Sequence, residues 1–525
     1  MVKRVLVLLT GLIALAMMNN VTGQTRYLDD VFTSVDRMDT VVYAQNISIL
    51  TLNNGDPDTL PLICDIYMPS GDTATDRPVV LIAPTGNFLP RLFNGGPYGT
   101  IKDSVVVELA NRLAMKGYIA VPYYYRQGWD AANIDVVVQT QTLLQASYRG
   151  IQDARTLARY FRMTHDMQNN VYGINPDNIS IIGTGTGGYM SLGAAFLNDF
   201  NEIDLPKFKD ITTGDLLVNE PRDGDINGEV AAALNIPNHV GYSNAFKVAV
   251  NLGGALGDST WVDQGEIPTI CFHTNVDPFA PYELGNVIVP TTGNVVIPEA
   301  AGSYLVSKIQ DRFGNNQVFK DAGFGSPVTG VANSRNNGWE GFFPFLFDVP
   351  TGALDCFGTP IDSVPASSPW NWYDEATFIS NWDAGPFPTL FGAPGVAANC
   401  GELANDPGND AAQARVYIDT VMAYMVPRIA VANGLVTATN LTDIINQELN
   451  MYPNPATNLI TITNSDPMNP VYEVAILDQQ GRMVYQRNMN ERGTINIERG
   501  NLASGLYLVR IQTDKGRATK KLVLR

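Results

Sequence analysis

The run Asn178-Ile179-Ser180-Ile181-Ile182-Gly183-Thr184-Gly185-Thr186-Gly187-Gly188 constrains the fold more than any other stretch of the chain. A short apolar segment ends in a turn with four glycines, and Gly187 to Leu197 continues as a helix. A strand without polar alternation that enters a tight glycine turn and then a helix belongs to a sheet covered on both faces. The same rhythm runs from about Val41 to Leu390. Asn46 to Leu52 and Leu60 to Met68 flank the turn Asn53-Asn54-Gly55 and predict a hairpin. Pro78 to Ile82, Tyr118 to Tyr124, Phe246 to Asn251 and Thr269 to Phe272 predict further buried strands. Asp103 to Lys116 and Gln139 to Arg162 have helical spacing. Repeated strand-helix-strand units give an α/β fold, a mostly parallel sheet flanked by helices with its chemistry at the carboxyl ends of the strands.

Two polar or irregular stretches interrupt this rhythm, at about 200–243 and 333–400. The second holds Trp339, Trp370, Trp372 and Trp382, four of the six tryptophans. It reads either as a lid over the strand ends or as an exposed aromatic platform for a glycan, a peptide or a neighbouring subunit. Ala411 to Ala432 closes the large domain as a helix, with Tyr417, Val421, Met425 and Ile429 spaced by four.

Composition narrows the function classes. The 525 residues are 45% hydrophobic, enough for real cores, and carry 52 acidic against 34 basic side chains, a formal charge of −18. A surface of that sign repels a phosphate backbone, so no nucleic-acid partner is expected. Lys3 and Arg4, the apolar run Val5 to Met18 and Val21-Thr22-Gly23 predict a signal peptide over 1–23 and export from the cytoplasm. No later run is long enough for a transmembrane segment. Of the four cysteines, Cys356 and Cys400 lie in loop-like sequence and predict a disulfide, while Cys64 and Cys271 lie in apolar runs and predict buried thiols.

Past Asn446 the pattern changes. After a linker over 441–449, residues 450–525 form short alternating strands between turns, a small all-β sandwich with ten Lys and Arg against six Asp and Glu. The negative charge therefore belongs to the large domain. Tyr452-Pro453-Asn454-Pro455, Gly505-Leu506-Tyr507-Leu508-Val509-Arg510 and Lys520-Lys521-Leu522-Val523 make this module resemble the type A C-terminal sorting domain of the type IX secretion system of Bacteroidetes. The resemblance implies the secretion machinery as a partner and passage across the outer membrane, with release or attachment at the cell surface. On residue pattern alone, an ordinary carbohydrate-binding or adhesive sandwich is the competing reading.

The glycine turn has two readings. Gly183, Gly185 and Gly188 satisfy G-x-G-x-x-G, a turn that lets a pyrophosphate approach a helix. No strand ending in Asp or Glu follows about 20 residues later, as that reading needs. The other reading is a nucleophile elbow. Asp65-Ile66-Tyr67-Met68-Pro69, Tyr124-Tyr125-Arg126, Tyr148 to Arg155 and Pro268 to Tyr282 support it, and residues 24–440 resemble the secreted esterase and lipase branch of the α/β-hydrolase fold. Carried over position by position, the resemblance leaves a degenerate elbow, Gly183, Thr184, Gly185, Thr186 and Gly187, with Gly185 where the nucleophile belongs. Asp277 matches the acid. The oxyanion loop reads Pro84-Thr85-Gly86, with the amides of Gly86 and Thr186 as relic donors. The base should follow the acid in the chain, yet the three histidines, His165, His239 and His273, all precede it. A hydroxyl without a base is a poor nucleophile, so losing both argues for loss of the reaction.

Asp223-Gly224-Asp225-Ile226-Asn227-Gly228 begins like a calcium loop, with Asp223, Asp225 and Asn227 as ligands, but Leu234 occupies the twelfth position where a bidentate Glu is expected. An ordinary polar turn is the alternative, and no other cofactor is implied. The expected function is a secreted, non-catalytic binding, adhesive or structural component that self-associates or meets an extracellular matrix or glycan partner. A secreted carboxylesterase-like or lipase-like hydrolase with an atypical site is the alternative.

Overall fold

The computed structural model describes residues 25–53, 56–289, 292–347, 353–354, 360–361, 366–406, 410–436, 448–466, 469–514 and 516–525. The predicted signal peptide, Cys356 and most of the predicted linker lie outside them. The described residues divide into two compact units, Phe32–Lys320 with Ala332–Leu435, and a smaller one carrying Val436–Arg525.

In the large unit, β1 (Val35–Asn53) and β2 (Asp56–Pro69) form the predicted antiparallel hairpin. They lead into β3 (Arg77–Ala83), β4 (Ile119–Pro122), β5 (Ile174–Thr184), β6 (Ala249–Leu252), β7 (Thr269–Thr274) and β8 (Phe342–Phe345). These strands lie in the order β1-β2-β4-β3-β5-β6-β7-β8, and every pairing from β4 to β8 is parallel. This order, with its antiparallel entry, is the α/β-hydrolase fold. All residues of β3, β4, β6, β7 and β8 are buried, as expected of strands covered on both faces.

The helices follow the apolar spacing. Helix α1 (Ser104–Met115) buries Val105, Val106, Leu109 and Leu113, and α3 (Thr186–Phe196) follows the glycine turn directly. Helix α2 (Val136–Met167) is longer than its apolar stripe requires, because its other buried side chains are polar: Gln152, Arg155 and Arg159 reach the insertion after α3. The α2 carboxylate Asp153 pairs with Arg126, both wholly buried, and also accepts the Arg126 amide at 2.7 Å. Helices α4 (Ser303–Phe313), α5 (Glu375–Ala384), α6 (Gly395–Asn405) and α7 (Ala411–Ala432) lie in the same unit. Val421, Met425 and Ile429 of α7 are buried, and Tyr417 stacks edge-on to Phe345 at 5.5 Å. Cys64 and Cys271 are buried free thiols, and Cys400 is disulfide-bonded.

The small unit is all-β. One sheet holds β9 (Leu449–Tyr452), β10 (Leu459–Asn464) and β13 (Thr494–Glu498), all antiparallel. The other has the order β12 (Met483–Glu491), β11 (Val471–Leu477), β14 (Gly505–Thr513), β15 (Gly516–Leu524). Ile460, Ile462, Val474, Ile476, Val509 and Ile511 alternate inward to form its core. Strand β9 is an addition to the sequence reading, in which Tyr452-Pro453 marks punctuation only.

Candidate functional site

The site lies at the carboxyl ends of β3, β5, β6 and β7. Gly185 sits between β5 and α3 with φ 52° and ψ −115°, a conformation nearly closed to residues with a side chain and the one a nucleophile elbow imposes. Gly188 is required for another reason: a Cβ there would stand 2.9 Å from the amide nitrogen of Gly254, so α3 and the loop after β6 touch backbone to backbone. The elbow is thus intact as a turn and empty as a nucleophile.

The space above it is filled from the loop that follows β3. A Cβ on Gly185 would stand 2.9 Å from Thr85 Cβ and closer still to Thr85 Oγ1. The amide of Thr186, expected as an oxyanion donor, faces that same hydroxyl at 3.4 Å. Gly86 and Thr186 both line the cavity here, beside the Thr85 hydroxyl. Thr184 turns into the protein with its hydroxyl buried and unpartnered, and Thr186 Oγ1 lies 3.5 Å from Tyr125 Oη.

Asp277 follows β7 as the acid should, and its Oδ1 accepts the amides of Phe279 and Ala280 at 2.8 and 3.0 Å. Burial pushes its carboxyl well above the usual range despite those two donors. His273 lies 3.5 Å from Asp277 Oδ2, and its Nδ1 lies 2.6 Å from Ser303 Oγ at the start of α4. A serine, a histidine and an aspartate are therefore in contact, but not as a catalytic set. His273 Nε2 faces the Ala280 carbonyl at 3.2 Å and so carries the proton, leaving Nδ1 to accept from the serine. Burial holds this imidazole down at about 4, and neither Ser303 nor His273 reaches the cavity surface. His165 pairs with Asp166 on the surface, and His239 ties the first insertion to the Tyr43 carbonyl at 2.7 Å. No histidine lines the cavity among the described residues.

The cavity has a volume of about 190 Å³. The second insertion closes one side of it with Ser367, Ser368 and Asn371 in the lining, and Glu402 and Asp406 just after it line the cavity as well. Trp370 is wholly buried against Phe345 at 5.9 Å, and Trp382 is 5% exposed. Those two tryptophans pack inward, in keeping with a lid and against an exposed platform. Asp406 accepts Ser367 Oγ at 2.7 Å and the Ser368 amide at 2.9 Å, and burial moves it up to about 6. Glu402, one helical turn earlier, is pushed up to about 7 by burial and then by Asp406. Sequence reasoning named Thr85 only as part of a loop and missed its place against Gly185, and it missed Glu402, Asp406 and Asn371 altogether. The one available signal was an acidic i, i+4 pair without a basic partner.

The calcium-loop residues are engaged internally. Asp223 is buried against Arg222 and accepts the Asn219 amide at 3.0 Å. Asp225 caps its own turn by accepting the amides of Asn227, Glu229 and Val230, and Asn227 Oδ1 accepts from Arg155 and Asn244. Among the described residues no three His, Cys, Asp or Glu side chains converge as a metal site.

Solved structures of Thermogutta terrifontis esterase 2 are similar to this chain at low scores. The form phosphorylated by paraoxon is 17% identical over 46% of this chain and 73% of that chain, with a TM-score of 0.27. The propionate-bound form is 14% identical over 59% and 83%, with a TM-score of 0.29. No curated protein sequence matches the chain. No helix among the described residues is long and apolar enough to cross a membrane. Residues 450–525 match the secretion system C-terminal sorting domain. The small unit therefore belongs to that family, and the chain it carries, an α/β-hydrolase-fold protein, is sent by type IX secretion to the cell surface or the extracellular space.

Proposed function

We propose that this protein works outside the cell as a non-catalytic binding component, in which an α/β-hydrolase cavity holds a small ligand without turning it over. One observation carries the reading: Thr85 occupies the space above Gly185 that a nucleophile would use. Covalent acyl transfer needs an oxygen or sulfur at that point with a base beside it. The described lining supplies no histidine, and Asp277 orders backbone amides instead of an imidazolium. The retained cavity favours binding over a purely structural role.

The test is exposure of the purified full-length protein to a fluorophosphonate probe and to short p-nitrophenyl esters. The expected result is no stoichiometric labelling and no turnover above buffer. Labelling of one residue per chain, or turnover abolished by Asp277→Asn, would overturn the proposal in favour of a hydrolase with an atypical nucleophile.

A further inference from the structure

A second, smaller chamber of about 50 Å³ adjoins the cavity, and Ser147, Tyr189 and Ile297 line both. The two spaces differ in character. Hydroxyl, amide and carboxyl side chains such as Thr85, Asn87, Ser367 and Glu402 line the main cavity. The chamber is lined by apolar side chains, among them Ile151 of α2, Leu197, Ile203, Phe208, Val218 and Trp261, each 7% exposed or less. Of its few hydroxyls, those of Tyr148 and Tyr189 already donate to the carbonyls of Gly224 and Phe279, at 3.0 and 3.4 Å. An occupant of the chamber therefore finds dispersion contacts and almost no polar partner.

The first insertion supplies one wall of the chamber through Ile203, Phe208 and Val218, and that wall is pinned in place. Trp261 Nε1 donates to the Glu202 carbonyl at 2.8 Å, Lys207 pairs with Asp258 at 2.7 Å, and Gln145 Nε2 of α2 donates to the Leu217 carbonyl at 2.9 Å. Phe208 and Trp261 pack ring to ring at 5.5 Å. A wall held at that many points does not collapse into the space beside it. Protein interiors are otherwise close-packed, and an unfilled apolar space forfeits contacts on every side, so a chain that enters gains them without reorganising the wall. A dry cavity of about 150 Å³ holds a six-carbon ring and one water needs about 10–15 Å³, so 50 Å³ is room for about two to four carbons at the end of a chain. What the main cavity lacks constrains the other end of that molecule. Asp277, Glu402 and Asp406 line it, and among the described residues no lysine, arginine or histidine does. An anionic head would lose its hydration there without gaining a cation, whereas a neutral head pairs with the hydroxyls and amides of the lining.

We propose that the two spaces together hold one small uncharged amphiphile, its unbranched alkyl chain running past Tyr189 into the chamber and its hydroxyl or amide head in the main cavity. The chamber sets the length of chain that gains contact, and the uncompensated carboxyls of the main cavity turn away the carboxylate of the same chain length. This inference rests on the reading that the cavity binds its occupant and does not hydrolyse it.

The experiment is calorimetric titration of the full-length protein at pH 8 with the straight-chain alcohols from butanol to decanol, with hexanamide and with hexanoate. Affinity is expected to climb about three- to four-fold per added carbon and to level off once the chamber is full. Hexanamide should bind, and hexanoate should bind at least ten-fold more weakly than hexanol. Val218→Phe fills the chamber and should bring the levelling point about two to four carbons earlier, while Phe208→Ala enlarges it and should move that point later. Shifts of opposite sign cannot come from a general loss of fold, a thermal melt checks each variant, and the wild-type series decides the matter if either variant fails to fold. No binding of any alcohol, an affinity that ignores chain length, a levelling point that neither folded variant moves, or hexanoate that binds as tightly as hexanol would each overturn the proposal. Ester turnover alongside an intact chain-length dependence would overturn the non-catalytic reading and leave this one standing.

Discussion

Thr85 and Gly185 share one volume: the threonine side chain stands where a side chain on the glycine would have to go. Thr85 follows β3 and Gly185 follows β5, and these strands are parallel neighbours with Ala83 opposite Gly183. The contact therefore follows from sheet register, and it has measurable consequences.

Gly185→Ser should destabilise the large unit by about 2–4 kcal/mol, combining a strained backbone conformation with the overlap on Thr85. Adding Thr85→Gly should recover part of that loss, a favourable coupling visible in a double-mutant cycle of thermal melts. Neither variant should acquire ester turnover, because no base follows Asp277.

Ser303→Ala should cost about 1–3 kcal/mol, since it removes the donor to His273 Nδ1 and the acceptor of Asn251 Nδ2 at 2.9 Å. Ligand binding should be unaffected. A loss of binding with an unchanged melting temperature would contradict a structural role for this buried serine.

Asp153→Ala leaves Arg126 buried without its carboxylate and should cost about 3–5 kcal/mol, read as a lower melting temperature or loss of soluble protein. Asp153→Asn should cost less, because an amide oxygen can still accept the Arg126 amide.

The pH dependence of stability follows from three buried acids. Burial raises Asp103 and Asp406 to about 6 and Glu402 to about 7, so between pH 4 and 7 the folded state holds more protons than the unfolded chain. Stability contributed by these protonated groups is present at low pH and falls as pH rises through that window. His273, depressed to about 4, acts oppositely, but only up to about pH 6.5, where the unfolded imidazole has lost its proton. The net expectation is a melting temperature that falls between pH 6 and 8, with Glu402→Gln gaining on the order of 1 kcal/mol at pH 8. An exposed control, Glu283→Gln, should not reproduce that gain.

Removing residues 450–525 should leave the protein cell-associated instead of at the surface or in the medium. Cell fractionation of a strain carrying the truncated gene checks it.

The parallel sheet was legible because its strands are short, wholly apolar and punctuated, as in Pro78 to Ile82 and Asn178 to Ile182. The turn between β5 and α3 was legible through glycine spacing, and the position of all three histidines before Asp277 through the sequence itself. The role of Thr85 was not legible, since it depends on Gly185, 100 positions away, which only the β3–β5 register brings beside it. Glu402, Asp406 and Asn371 were hidden for a related reason: they line one cavity only once the chain around residues 366–406 folds over the strand ends. Even the polar run on α2 had a cause visible only in three dimensions. Gln152, Arg155 and Arg159 are buried because the carbonyls of 223–227 need donors.

The Thr85–Gly185 contact also bears on how this sequence can change. With glycine at 185, position 85 is free to carry a bulky side chain; with serine at 185, it is not. A chain with threonine at 85 cannot accept serine at 185 by one substitution without overcrowding the turn. The contact couples the two positions, so that what either can carry depends on the other.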